Sequence, residues 1–204
     1  MLKLHCTPGT VSLAAAITLQ EAGLAHELIV VDFAKAEQTR PAYLAINPKG
    51  RVPALETPDG ILTETGAILD HIAALAPAAN LVPSDPFLAG KMREMMYYLA
   101  STMHVNHAHG PRGSRWASRQ SSLDDMRAKV QENMKASCVY VESHIKGPFV
   151  IGNSLTLADP YLFTVSTWLA SDGVDIADYS RLAAHHAAMR QRPSVRAMAD
   201  KGLL

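Results

Sequence analysis

Apolar and polar residues alternate at the start of the chain, in Leu2-Lys3-Leu4-His5, which is the period-two pattern of a strand. Thr7-Pro8-Gly9-Thr10 then turns the chain. Ser12 stands where it can cap a helix over residues 12–22, with Gly23 as its stop. Residues 27–31 read as a second strand. Strand, helix and strand within about 30 residues make a βαβ unit, so these strands should run parallel. A short helical turn over residues 42–46 leads to Val52-Pro53 and the apolar pair Ala54-Leu55, and Pro58-Asp59-Gly60 reads as a tight turn between two strands. Glu64-Thr65-Gly66-Ala67-Ile68 opens a third helix, which should run to residue 76 and end at Pro77.

Beyond this point the pattern changes. Prolines 77, 83 and 86 punctuate a stretch with little apolar period, so residues 78–86 read as a linker between a first domain, 1–77, and a second, 87–204. Apolar residues at helical spacing over 87–109 and 123–145, with no strand pattern after them, predict an all-helical second domain. The methionines at 92, 95, 96 and 103 fit helix packing. Thr156-Leu157-Ala158-Asp159 is a capping box in its Asp form: the Thr156 hydroxyl should accept from the Asp159 N–H while the carboxylate reaches back. Pro160 falls in the first turn, where proline removes no intrahelical bond, and the helix is expected to pass Trp168 and reach about Ser171. Arg192-Pro193-Ser194 marks the boundary before a final short helix.

Composition acts mainly by exclusion. The 204 residues are 48% hydrophobic and 19% charged, with 19 basic against 19 acidic side chains. That balance leaves no footprint for nucleic acid or an anionic membrane surface. No apolar run approaches the roughly 20 residues of a membrane span, and the first residues lack a signal-peptide pattern, so a cytoplasmic location is expected. Cys6 and Cys138 form neither a C-x-x-C pair nor a metal-ligand spacing.

Candidate chemistry concentrates in residues 47–68. A helix beginning near Thr65 leaves its first N–H groups open and carries positive dipole charge, which suits a carboxylate. If the Val52-Pro53 bond is cis, the Val52 N–H and C=O turn outward and can pair with an extended peptide. Glu64 adds a negative charge suited to an ammonium group. A ligand with adjacent amine and carboxylate and an extended peptide tail satisfies all three features; a strand entry followed by a helix cap is the purely structural alternative.

The V-P-A-L loop followed by E-T-G-A-I resembles the glutathione transferase family, in which a V-P-x-L loop precedes an E-S/T-x-A-I helix start. G-N-S-L-T-L-A-D is a second match, to the box that opens the buried core helix of that family's second domain. The resemblance covers essentially the whole chain. It implies an α/β thioredoxin-like N-terminal domain plus an all-α C-terminal domain, glutathione as co-substrate with no tightly bound cofactor, and a homodimer. By residue match, Val52 and Pro53 would bind the cysteinyl backbone of glutathione, and Glu64 and Thr65 its γ-glutamyl end. Lys35, in the loop after the second strand, is a candidate for the glycine carboxylate, or a solvated lysine.

A thiolate is stabilised at a helix N-terminus, so the sulfur's partner is sought where the first strand meets the first helix. Candidates there are Ser12 first, then Thr10 and Cys6; Ser12 has the alternative of being only a cap, and Cys6 of being a small buried hydrophobe. L-x-x-x-P-G-x-x-S-L-A is closest to the bacterial Beta class, whose cysteine falls here on Val11, while the tyrosine that other members carry falls near His5-Cys6. His104 and His107 are three apart and share a helix face, but no thiolate or carboxylate stands at ligand spacing, so no metal is expected. A Beta-class histidine of the glutathione site aligns with His104, so the resemblance makes His104 a catalytic candidate that lines the cleft and orients the sulfur together with Ser12. The resemblance also assigns the pocket of the electrophilic second substrate to His107, Arg112, Arg115 and Trp116. The implied activity is conjugation of glutathione thiolate to a small electrophile, or reduction with it, including a peroxidase side activity. A non-catalytic binding or regulatory module on the same fold, or a glutathione-dependent isomerase or dehalogenase, are the alternatives.

Overall fold

A four-stranded sheet organises the first of two units in the computed structural model, which describes residues 1–204. Strand β1 (Leu2–Cys6) pairs in parallel with β2 (His26–Val30), from Leu2 opposite His26 to Cys6 opposite Val30. On its other side β1 pairs antiparallel with β3 (Ala54–Thr57), which forms a hairpin with β4 (Gly60–Thr63), giving the order β2-β1-β3-β4. The parallel pair is the one expected of a βαβ unit. Its crossover helix α1 (Ser12–Glu21) buries Leu13, Ile17 and Leu19 together with a run of alanines, whose small side chains let the helix lie close to its neighbours. Gly23 takes φ +66°, the left-handed conformation that ends a helix at little cost only for glycine. The short helix α2 (Pro41–Leu44) begins on its proline, and α3 (Thr65–Leu75) buries Ile68, Leu69, Ile72 and Ala73.

The first unit comprises Met1–Pro83 together with Met189–Leu204. This corrects the expectation that residues 87–204 form one domain. The division falls inside helix α8 (Ser180–Gln191), and α9 (Pro193–Asp200) belongs with the sheet. The reason is a part-buried carboxylate on α1: Glu21 accepts from Arg192 Nε at 2.5 Å and Nη2 at 2.6 Å, and from the Ser194 hydroxyl. Val195, Met198 and Leu203 are buried behind this clamp.

Burial pushes the Glu21 carboxyl up, but the hydrogen bonds from Arg192 and Ser194 and the Arg192 charge outweigh it and leave it below its ordinary value. A carboxyl lowered on folding stabilises the protein above its unfolded pKa, and that contribution is lost as pH falls through the lowered folded value. Glu21→Gln is therefore expected to cost about 1–3 kcal/mol near neutral pH. The gap in melting temperature between the two proteins should close as pH drops below about 4. A gap that stays constant down to about pH 3 would mean that the clamp is not electrostatic.

The second unit, Ser84–Ala188, contains only helices, turns and one isolated bridge between Phe149 and Gly152. Helix α4 (Pro86–Tyr98) starts on Asp85, whose carboxylate accepts from the Leu88 N–H at 2.8 Å. A π-helical turn (Leu99–Met103) joins it to α5 (His104–Ala108), so the helix expected over 87–109 is one rod carrying a π turn. Met92, Met95, Met96 and Met103 are all buried. Helix α6 (Gln120–His144) is the longest. No helix is long and apolar enough to cross a membrane.

Helix α7 (Ala158–Ser166) is buried at every position and ends before Trp168, shorter than expected. The hydroxyls of Ser166, Thr167 and Ser171 each donate to a carbonyl three residues back, which draws the backbone out of regular helix into turns. The capping box is also corrected. The Thr156 hydroxyl donates to Asp159 Oδ2 at 2.9 Å instead of accepting, and the Asp159 N–H goes to the Thr156 carbonyl at 3.1 Å. Asp159 Oδ2 accepts from the Thr156 N–H at 2.6 Å, and Oδ1 from the Val150 N–H at 2.7 Å, with His185 Nε2 3.1 Å away. One fully buried carboxylate thus ties together a loop, α7 and α8.

Candidate functional site

The loop before β3 is held from inside. Asn47, 1% exposed, donates to the Arg51 carbonyl at 2.6 Å, and the Tyr43 hydroxyl donates to the same oxygen at 2.7 Å. Gly50 takes φ +60° with its backbone against the Gln38 carbonyl, where a Cβ would come within 3.0 Å. Val52 packs with Val31 and Tyr43, and the Val52–Pro53 bond is cis. The ladder with β1 begins at Ala54, one residue after the proline. The Val52 N–H and C=O make no hydrogen bond within the protein. An unpaired backbone donor and acceptor beside the end of a strand are a docking edge for an extended peptide.

Across the hairpin, α3 opens without a side-chain cap. Its first intrahelical bond from this end is the Ile68 N–H to the Glu64 carbonyl, so the N–H groups of Thr65, Gly66 and Ala67 stay available to an anion. Glu64 is the N-cap residue and takes φ 71°, ψ 123°, a conformation that costs a non-glycine residue about 1–3 kcal/mol. Its carboxylate makes no hydrogen bond to these N–H groups and accepts from Lys49 Nζ at 2.5 Å.

The junction of β1 and α1 departs from expectation. Ser12 is the first residue of α1 and Val11 is its N-cap, so Ser12 does not cap the helix. It is fully buried and holds the preceding turn: its Oγ accepts from the Thr7 N–H at 3.0 Å and lies 2.7 Å from Thr10 Oγ1 and 3.2 Å from the Thr7 carbonyl. Thr10 Oγ1 lies 2.8 Å from the Thr7 carbonyl and is half-buried. Two hydroxyl protons are therefore shared among Thr10, Ser12 and one carbonyl, and Thr10 is the partner that reaches solvent. Cys6 is corrected as a sulfur-activating candidate. It is fully buried, donates weakly to the Ile29 carbonyl at 3.7 Å, and burial pushes its thiol up to about 11, away from thiolate chemistry. Lys35 is exposed and ion-paired with Asp32 at 3.0 Å.

In the second unit, Trp168 collects two of the predicted histidines. His107 stacks on it at 4.5 Å, and His104 lies tilted against it at 4.9 Å. His107 Nδ1 is 2.9 Å from both oxygens of buried Asp172, which makes it an interior anchor. Arg112, Arg115 and Trp116 flank or lie within a short turn (Gly113–Arg115); Trp116 is 49% exposed and its ring lies 4.6 Å from that of His109. No three His, Cys, Asp or Glu side chains converge as metal ligands would.

Sequence reading missed Lys49, Asn47 and Asp172. Lys49 was visible in N-P-K-G-R, but its partner Glu64 is 15 residues away; Asp172 is 65 residues from His107. Neither pairing follows a helical or strand period.

Comparison with known proteins gives two family matches: the glutathione S-transferase N-terminal domain over residues 2–74 and the glutathione S-transferase C-terminal domain over residues 115–201. The glutathione S-transferase GstA of Escherichia coli O157:H7 is 32% identical over 99% of this chain and 100% of its own length. A glutathione transferase homologue from Sulfitobacter, solved with bound glutathione, is 58% identical with a TM-score of 0.99, covering 100% of this chain and 99% of the other. A sphingomonad glutathione S-transferase complexed with glutathione is 32% identical with a TM-score of 0.84, over 99% of this chain and 100% of the other.

Proposed function

The chain belongs to the glutathione S-transferase family, and from that membership we propose that it binds glutathione as the thiolate and transfers it to a small electrophile. The observation that carries this reading is the open Val52 backbone set beside the uncapped start of α3 within one hairpin. The Val52 N–H and C=O pair with the cysteinyl residue of glutathione. The Thr65 N–H and hydroxyl take its γ-glutamyl carboxylate, Glu64 takes the α-ammonium, and Pro53 holds the loop. Lys35 serves the glycine carboxylate.

The sulfur is met by the Thr10 hydroxyl, with Ser12 holding that hydroxyl in place. A hydrogen bond to sulfur and the dipole of α1 favour the thiolate over the thiol. Holding nucleophile and electrophile together then converts a bimolecular attack into an intramolecular one. His104, Arg112, Arg115 and Trp116 serve the electrophile, and His107 acts indirectly by fixing Trp168. Guanidinium groups near an exposed indole suit an anionic or aromatic acceptor.

The reading includes a homodimer. An apolar cavity of about 240 Å³ is lined by Phe87, Leu88 and Met95 on α4, Tyr140 on α6, and Val150 and Ile151, while the Phe87 ring is left exposed. That supports a covering partner copy, and light scattering in solution checks it.

Calorimetry with glutathione, with turnover of aromatic halide, epoxide and peroxide substrates, tests the reading. Glu64→Ala should leave the melting temperature nearly unchanged, since its side chain is 73% exposed. It should weaken glutathione binding by about tenfold or more. No glutathione binding at millimolar concentration by the wild-type protein would overturn the proposal. Binding without turnover of any substrate would favour the non-catalytic module.

A further inference from the structure

Lys49 is placed with more care than a solvated lysine needs. Its N–H donates to the Asn47 side chain at 3.2 Å, and the next residue, Gly50, donates to the Asn47 carbonyl at 2.9 Å. Buried Asn47 therefore sets the turn from which the Lys49 side chain extends. The ammonium reaches Thr63 Oγ1 at 2.7 Å and Glu64 Oε1 at 2.5 Å.

Counting donors and acceptors shows what is left over. An ammonium carries three N–H groups, and these two contacts use two of them. Glu64 has a second carboxylate oxygen, to which no protein group donates. One cationic N–H and one anionic oxygen thus stand side by side, the oxygen on the N-cap residue of α3. An amino-acid zwitterion carries the complementary pair on a single carbon.

Resting on the glutathione reading, we propose that Lys49 determines specificity for the γ-glutamyl end: its ammonium takes the ligand's α-carboxylate while Glu64 takes the α-ammonium. The four charges alternate in sign, so each ligand charge meets an opposite one and the Lys49–Glu64 contact survives binding. A ligand bearing only one of the two charges leaves either the ammonium or the carboxylate of the protein unmatched. The discrimination is thus built from a pair and not from two independent contacts. Lys49 and Glu64 have side chains 40% and 73% exposed, and exposed pairs contribute little to folding. Substitutions at Lys49 therefore report on binding.

The test measures dissociation constants by calorimetry for glutathione and two analogues. Glutaryl-cysteinylglycine lacks the α-ammonium; 4-aminobutanoyl-cysteinylglycine lacks the α-carboxylate. Lys49→Met is expected to weaken glutathione and the glutaryl analogue by about tenfold each, and to leave the 4-aminobutanoyl analogue within about twofold. Lys49→Arg should retain most of the glutathione affinity. Equal weakening of all three ligands would mean that Lys49 only shapes the loop, and would overturn the proposal. Tighter glutathione binding by Lys49→Met would also overturn it, because the lysine would then be competing with the ligand's ammonium. If the wild-type protein binds none of the three, the glutathione reading itself fails; if wild type binds and only the pattern differs, this inference falls alone.

Discussion

Asp159→Ala is expected to destabilise the protein by about 3–5 kcal/mol, the range for removing one partner from a buried charged network. Four donors converge on this carboxylate: the N–H groups of Val150 and Thr156, the Thr156 hydroxyl and His185 Nε2. Asp159 and His185 are both 0% exposed, so water cannot replace the lost acceptor. His185 already has Nδ1 buried without a partner, and the substitution would remove its remaining one. Each buried donor left unsatisfied costs about 1–3 kcal/mol. Partial rearrangement of the loop keeps the sum below the simple total.

Asp159→Asn keeps the shape but offers one acceptor oxygen, and its NH2 must face a donor. A loss of about 2 kcal/mol is expected. Thr156→Val removes only the hydroxyl and should cost about 1 kcal/mol. Urea unfolding followed by circular dichroism checks the order Ala, then Asn, then Val. An Asp159→Ala protein within about 1 kcal/mol of wild type would show that the network is not what joins α7, α8 and the loop.

For activity, Thr10→Val is expected to have the largest effect. It should lower turnover by about 100-fold, the scale seen when one donor to a developing or stabilised anion is removed. Glutathione affinity should change by only about threefold, because the peptide is held at Val52, Glu64 and Thr65. Thiolate absorbance of the bound complex, titrated against pH, should show the sulfur's pKa moving up, since the charged form has lost its hydrogen bond. Ser12→Ala should cost less turnover, about tenfold, because Thr10 keeps its proton and loses only the hydroxyl that orients it. It should also cost some stability, since the Thr7 N–H loses its acceptor. A Thr10→Val enzyme with wild-type turnover beside an inactive Ser12→Ala enzyme would reverse the assignment and make Ser12 the donor.

This pair of residues shows how far the sequence could be read. In sequence Ser12 is the first candidate, because it stands at a helix start and matches the Beta-class pattern. Position along the chain says nothing about what a hydroxyl bonds, and the Thr7 N–H, five residues back, claims it. In sequence Cys6 reads either as a secondary sulfur partner or as a small buried hydrophobe, and its full burial and raised pKa decide for the second. The elements themselves were legible: the βαβ unit, the hairpin around Pro58-Asp59-Gly60, the start of α3 at Thr65 and the helical second unit all rest on short-range pattern. The end of α7 differs from the sequence pattern because apolar periodicity continues while hydroxyl back-bonding stops the helix.

The sequence alone therefore determined the elements, their order and the stretch from Asn47 to Ile68 as a ligand-binding candidate, since caps, turns and periodicity act between residues a few positions apart. Tertiary structure decided which polar groups were consumed and which stayed open. Glu21 joins Arg192 across 171 residues and draws the last helix into the first unit. Lys49 finds Glu64 and changes a lone carboxylate into a charge pair. Val52 keeps a free N–H and C=O because the ladder starts two residues later, at Ala54. Satisfying hydrogen bonds is a property of the folded whole, so the groups left over for a ligand emerge only once every other partner has been assigned.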